Sequence, residues 1–265
     1  MRKTILFSFI CLQFLLSCGQ EPDTTQRKFT STEKTFSYHL GDSLVHLQVL
    51  QYGNRRDIVM LNLHDDETTS VDAARAVLEE TGGMLIRLDN RNNRFIEFSI
   101  HGKPYRFDPN RMFSVAGIRS NLGKLSKADP KAVEAIRQFG IYVLTKVPVT
   151  TPTLIALHNN DEGRLTIDSY RPGSDYGPDA AQLTVQVSVD PDNFLFTTDS
   201  RLYRQLKDSF NIVQQHNGRV SDDGSLSVFY GRMKRSYVNV ETEYGQVDEQ
   251  VRMLRAVVTT IFKVR

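Results

Sequence analysis

The sequence predicts a single α/β domain, built on a mixed, mostly parallel sheet flanked by helices. Three observations predict it. Residues 57–63 are mostly apolar, 69–81 carry Val71, Ala74, Val77 and Leu78 at helical spacing, and 84–88 are apolar again after Gly82-Gly83. Strand, helix, strand in that order is the signature of a parallel crossover. Later apolar runs at 153–157 and 237–244 alternate with helical patterns at 129–146 and 247–262. Finally, 265 residues, 40% hydrophobic and 24% charged, suit one domain with a real core.

Taken in order, the chain opens on an export signal. Arg2 and Lys3 precede an apolar stretch, 4–16, that is too short to span a bilayer comfortably. It ends in Leu15-Leu16-Ser17-Cys18, which resembles the bacterial lipobox. That resemblance implies cleavage after residue 17, a lipid on Cys18 and a cell-envelope protein on the periplasmic or outer-membrane face. An ordinary secretory signal is the other reading. An acyl anchor attaches a protein to a membrane without a transmembrane helix. Cys11 and Cys18 are the only cysteines, so the folded domain is expected to hold no disulfide, and any metal site must use His, Asp or Glu. Without Arg2 and Lys3, 31 of the 33 basic residues remain against 31 acidic ones. A balanced surface gives no electrostatic case for nucleic acid.

Residues 18–34 are polar, rich in Thr, Gln and Glu, and read as a flexible tether, leaving 35–265 as the domain. The alternation in 36–40 and 44–50 around Gly41-Asp42 predicts a hairpin, and 95–100 with 104–107 a second one. Asp129 and Pro130 are expected to start a helix with a stripe of Val133, Ile136, Phe139, Ile141 and Leu144. Residues 159–182 form a long polar loop, and loops of that length tend to be functional. A half-buried strand is expected at 183–189, a helix at 200–208 and a strand at 226–230.

Three apolar strands end in residues of one chemical kind. The first is followed by His64 and Glu67, the run at 154–157 by His158, and the run at 238–240 by Glu241 and Glu243. In an open α/β sheet ligands bind beyond the carboxyl ends of the strands. His-x-x-Glu is a common pattern and by itself also suits a surface turn. With His158 it becomes a His-Glu-His set, three protein ligands and one open position, as in catalytic zinc sites. A nearby glutamate would move protons to and from water and leaving group.

The motifs Asn-Leu-His64-Asp-Asp-Glu67, Asp108-Pro-Asn110-Arg111, Ala-Leu-His158-Asn-Asn and Asn239-Val-Glu241-Thr-Glu243 follow one another in the chain. Together they resemble the zinc carboxypeptidase superfamily, including its aspartoacylase and succinylglutamate desuccinylase branch, over residues 60–245. The resemblance implies a zinc carboxypeptidase-like fold, with zinc held by His64, Glu67 and His158. Asn110 and Arg111 would grip a substrate carboxylate, which a planar guanidinium matches bidentately. Glu241, with Glu243 as its rival, would be general base and then acid. Arg94 would polarise the scissile carbonyl, with Arg87, Arg91 and Arg106 as competitors. A substrate-capping tyrosine is open between Tyr170, Tyr176 and Tyr230. The chain departs from the family's branches at Asp65-Asp66, Asp108-Pro109 and Asn159-Asn160, so the resemblance assigns no substrate.

The expected activity is zinc-dependent amide hydrolysis of peptides or peptidoglycan stem peptides at the cell envelope. Its alternatives are an acyl-amino-acid deacylase, or a lipoprotein that binds peptide or glycan on the same fold without turnover. A purely structural envelope protein is a further one.

Overall fold

The computed structural model describes residues 28–263. The expected signal at 1–17, the expected lipidation site Cys18 and most of the expected tether lie outside the described residues. The hairpin is longer than its alternation suggested: β1 (Ser31–Leu40) and β2 (Ser43–Tyr52) pair along their whole length. β1 therefore begins within the stretch expected to be tether. Gly41 makes the turn at φ +61, left-handed backbone that favours glycine.

The unit β3 (Val59–Asn62), α1 (Thr68–Thr81), β4 (Gly83–Asp89) is the expected parallel crossover. In β3, Val59 and Leu61 enter the core on one face and Met60 the core on the other. That is why the run is apolar throughout rather than alternating. The second hairpin, β5 (Ile96–Ile100) with β6 (Lys103–Phe107), forms a small sheet of its own. Then follow α2 (Val115–Leu125), α3 (Pro130–Leu144), β7 (Thr153–Asn160), β8 (Ala180–Thr184), β9 (Phe194–Thr197), α4 (Ser200–Leu206), β10 (Asn211–Gln215), α5 (Leu226–Arg232), β11 (Ser236–Glu243) and α6 (Val247–Lys263).

The nine strands of the main sheet stand in the order β1-β2-β4-β3-β7-β11-β9-β10-β8. The four central ones are mutually parallel, and β1 and β8 run the same way, while β2, β9 and β10 run against them. The sheet is mixed and mostly parallel, as expected. α1, α4 and α6 cover one face, and α2, α3 and the small hairpin the other. Where the chain enters the described fold, Phe29 N donates to Glu79 O (2.7 Å) and Lys28 pairs with Glu79, near the C-terminal end of α1.

Several expectations are corrected. Residues 226–230 form a helix, not a strand: Ser225 caps it, its Oγ accepting from Val228 N, and that local bond overrides the apolar alternation. The strand expected at 183–189 lies at 180–184 instead, and Val187 is fully exposed. Pairing with β10 fixes the position of this edge strand, rather than its own pattern. In α3, Ile141 is exposed and Val143 is buried in its place. α2 and β10 were not foreseen. Gly117 and Gly123 weaken the helical signal of α2, but Gly117 is there because a Cβ would overlap the backbone of Gly224.

Candidate metal centre and active site

His64 and Glu67 sit on the turn between β3 and α1, and Glu67 immediately precedes the first residue of the helix, its side chain left free of capping. His158 lies near the carboxyl end of β7, directly opposite Glu241 of β11 in the parallel register. Period-two alternation puts Ala156, His158, Asn239 and Glu241 on one face and Asn159 on the other. All four site residues are buried: His64, Glu67, His158 and Glu241.

The donor atoms converge. Among the described residues, His64, Glu67 and His158 form a group able to hold a metal, their ligand atoms all within 4.8 Å of one another. His64 Nδ1 lies 3.3 Å from His158 Nδ1 and 2.9 Å from Glu67 Oε1, and His158 Nδ1 lies 2.9 Å from Glu67 Oε2. Tetrahedral zinc with nitrogen ligands at ~2.0–2.1 Å spaces its donors about 3.3 Å apart, so the two imidazole nitrogens already stand at a suitable separation. Two imidazoles and a carboxylate turned inward in a buried site are a donor set that suits zinc.

Asp108 completes the arrangement from behind. Its Oδ1 is 2.7 Å from His64 Nε2, and a carboxylate there holds the proton on Nε2 and leaves Nδ1 for the metal. In the sequence Asp108 stands out only as the start of the Asp108-Pro-Asn110-Arg111 motif and as a departure from the family's branches. Burial works against charge on His64, but Glu67 and Asp108 outweigh it and push its pKa up to about 9. Burial also works against charge on Glu67, and the two imidazoles reverse it, holding the carboxyl well below the usual range.

A cavity of about 560 Å³ opens over this group. It is lined by all the residues expected to bind metal or substrate or to act as base: His64, Glu67, Arg94, Asn110, Arg111, His158 and Glu241. Burial lifts the Glu241 carboxyl, the His158 ring pulls it back and Glu67 lifts it again, leaving it at about 7. Asn239 Nδ2 donates to Glu241 Oε2 at 3.0 Å. Glu243 is not in the lining and bonds Gln246 instead. Of the four arginines weighed, only Arg94 lines the cavity, with Nη1 2.5 Å from Glu67 Oε1. Arg87 pairs with Asp65, and Arg106 with Glu97. Asp65 also accepts from the backbone N–H groups of Asn90 and Asn92 (2.8 Å each), pinning the loop that delivers Arg94.

Arg111 is the last residue of a single 3₁₀ turn, Pro109–Arg111, capped by Asp108. Its Nη1 lies 3.4 Å from Asp223 Oδ2. Asn110 Oδ1 accepts from Leu226 N, so the start of α5 is tied to the Asn-Arg pair. Tyr170 and Tyr176 line the cavity, and Tyr170 packs on Phe194 and Phe196 at ring distances of 5.8 and 5.3 Å. Tyr230 is a core residue against Tyr237, outside the lining. Gln215, Tyr237 and Asn239 also line the cavity and were not foreseen.

The fold and site are those of an α/β protein with a buried His-Glu-His centre beneath a polar cavity. No protein-family profile matches the chain, and no curated protein matches it in sequence. Solved structures similar to it include the murein-tripeptide amidase MpaA of Escherichia coli O157, at 11% identity over 91% of this chain and 96% of that one, TM-score 0.44. An aspartoacylase family protein of Mesorhizobium loti is 16% identical over 88% and 68%, TM-score 0.43. A candidate metallopeptidase of Shewanella amazonensis is 15% identical over 87% and 86%, TM-score 0.41.

Proposed function

We propose that this protein is a zinc-dependent amide hydrolase of the zinc carboxypeptidase type. One observation carries the reading: His64, Glu67 and His158 converge at ligand spacing within reach of a fourth buried group, Glu241, on the floor of one cavity. A zinc ion held by the three residues supplies the Lewis acidity that amide hydrolysis needs. Glu241 takes a proton from the attacking water and returns it to the leaving nitrogen, so the C–N bond breaks as the acyl carbon gains the hydroxyl. A carboxyl pulled up towards neutrality suits both halves of that exchange. Asn239 holds Glu241 in place. Asp108 orients His64. Arg111 grips a carboxylate of the substrate, and Arg94 stabilises charge on the scissile carbonyl oxygen.

The substrates are peptides or the peptide stems of peptidoglycan, met at the cell envelope by a protein anchored through lipid on Cys18. The lipobox-like Leu15-Leu16-Ser17-Cys18 supports that placement. Among the described residues no helix is long and apolar enough to cross a membrane.

The test is metal content followed by activity. Protein purified without added metal or chelator should carry about one zinc per chain, and His158→Ala should lose it. Glu241→Gln should keep zinc yet lose nearly all hydrolysis, while Glu243→Gln stays active. A chain that takes up no zinc overturns the site. Zinc retained with saturable peptide binding and no product favours the binding alternative.

A further inference from the structure

The pole where the central strands begin carries a groove that the reaction does not use, about 840 Å³ in volume. Pro152, just ahead of β7, and Arg235 and Ser236, where β11 starts, form one side of it. The loop from β9 into α4 forms the other. Thr198 ties the two sides together: its Oγ1 donates to Arg235 O (3.0 Å) and accepts from Tyr237 N (3.0 Å). Gly231 lets the end of α5 close on Asn217, because a Cβ there would stand 2.6 Å from Asn217 Oδ1.

The charge in this groove is one-sided. Arg201, Arg232, Lys234 and Arg235 line it against a single carboxylate, Asp199. Asp199 is taken up by Arg201 (2.9 Å), and Arg232 pairs with Asp222 (2.5 Å), outside the lining. Arg235 lies over the Tyr230 ring and donates to the backbone carbonyl of Thr151 (3.5 Å), which leaves its charge unbalanced. Lys234, held in left-handed backbone at φ +53, has no ion-pair partner among the described residues. Exposed apolar side chains flank these cations. Met233, between Arg232 and Lys234, is 59% exposed, and Val149, three residues before Pro152, is 90% exposed. Cations beside exposed apolar groups suit a headgroup layer, where phosphates meet the charges and the apolar side chains sink to the acyl boundary. A small soluble anion would use the cations and leave Met233 and Val149 in water.

The entry of the chain favours the same occupant. Phe29 packs against Gly53, just past the end of β2. That point lies on the same edge of the sheet as the groove, three to four strand spacings or about 15–20 Å away. From Cys18 to Lys28 is ten residue steps, at most about 35 Å of extended chain. A lipid on Cys18 would keep this pole, rather than the cavity, within reach of a bilayer.

We propose that this pole docks on a bilayer of anionic phospholipid, with lipid phosphates in the groove and Met233 and Val149 at the headgroup boundary. The tether alone lets the domain turn, and the docked face biases the cavity mouth outward. The choice of a bilayer as occupant rests on the proposed anchor at Cys18.

The test uses the mature protein, whose mass reads the lipid on Cys18 directly. Amide hydrogen exchange is followed with vesicles of phosphatidylcholine alone and of phosphatidylcholine with phosphatidylglycerol. Exchange at 149–151 and 231–235 should slow severalfold on the anionic vesicles only. Exchange at 185–190, beyond the carboxyl end of β8, should not change. Salt at about 0.5 M, which screens charges beyond a few ångströms, should remove the protection. Lys234→Glu should abolish it, and Met233→Ser, which leaves every charge in place, should weaken it. Equal protection on neutral vesicles, or protection unchanged in both variants, overturns the proposal. Loss of the protection to millimolar inorganic phosphate at constant ionic strength also overturns it, in favour of a soluble anion. A lipid on Cys18 without protection overturns the docking and keeps the anchor. Protection on added vesicles without a lipid keeps the docking and overturns the anchor.

Discussion

A charged His64 carries a proton on Nδ1, 2.9 Å from Glu67 Oε1, at the atom that a metal would engage. With the His64 pKa at about 9, that proton must leave for zinc to bind anywhere below pH 9. The sign follows directly: zinc affinity should climb about tenfold per pH unit towards pH 9 and flatten above it. Asp108→Asn keeps an acceptor near Nε2 but removes its charge. It should weaken zinc binding by about 10–100-fold and move the plateau to lower pH. Chelator competition across pH 6–10 reads both, and an affinity flat over that range would sink the assignment. His64, Glu67, His158 and Glu241 were legible in the sequence because each follows an apolar run that only a buried strand explains. Asp108 was not, because Asp before Pro is an ordinary turn signal and only tertiary contact gives it His64 as a partner. Gln215 was equally hidden, on a strand whose five residues show no clear pattern.

Between elements, a buried amide network sets where those residues point. Asn159, on the opposite face of β7 from His158, accepts from Ser70 N of α1 (2.8 Å) and donates to Gln250 Oε1 of α6 (3.0 Å). Gln250 Nε2 donates in turn to His158 O and Val240 O. One network thus fixes the first turn of α1, and with it Glu67, against the two strands that carry His158 and Glu241. Gln250→Ala leaves those carbonyls and Asn159 short of partners and should cost about 2–3 kcal/mol. Glu249→Ala, one position away, half-buried and paired with Arg252 on the same helix, should cost less, under about 1 kcal/mol. Urea unfolding of the two variants compares them, and equal losses would mean that the network is not what holds α6 to the strands. At this scale the sequence announced elements whose pattern and caps agree, such as Asp129-Pro130 ahead of α3. It misled at 226–230, where strand-like alternation competes with a serine cap. It was silent on α2, where Gly117 serves a close helix-to-loop contact rather than helix propensity.

For the molecule as a whole, the candidate metal ligands lie on or just after two parallel strands far apart in sequence, and the proposed base, Glu241, lies on a third. Metal binding should therefore stabilise the entire domain rather than one loop. At free zinc a thousandfold above Kd the linkage is about 4 kcal/mol, and at about 2–4 °C per kcal/mol for a domain of this size the melting temperature should rise on the order of 10 °C. Scanning calorimetry of chelated and zinc-loaded protein measures this, and coincident transitions would show that the three side chains do not act as one site. The class of fold was legible at this scale because the crossover 57–88 leaves few topologies open. The full strand order was not, since β8, β9 and β10 owe their places to long-range pairing that no local pattern encodes.

The backbone enters the fold at Phe29, bonded to Glu79, twelve residues along α1 from Glu67, or about 18 Å down the helix axis. Entry and cavity thus occupy opposite poles. If the chain is tethered to a bilayer through Cys18, as proposed, the anchor leaves the mouth of the cavity unobstructed, and a flexible stalk lets the domain swing like a lamp on a cord.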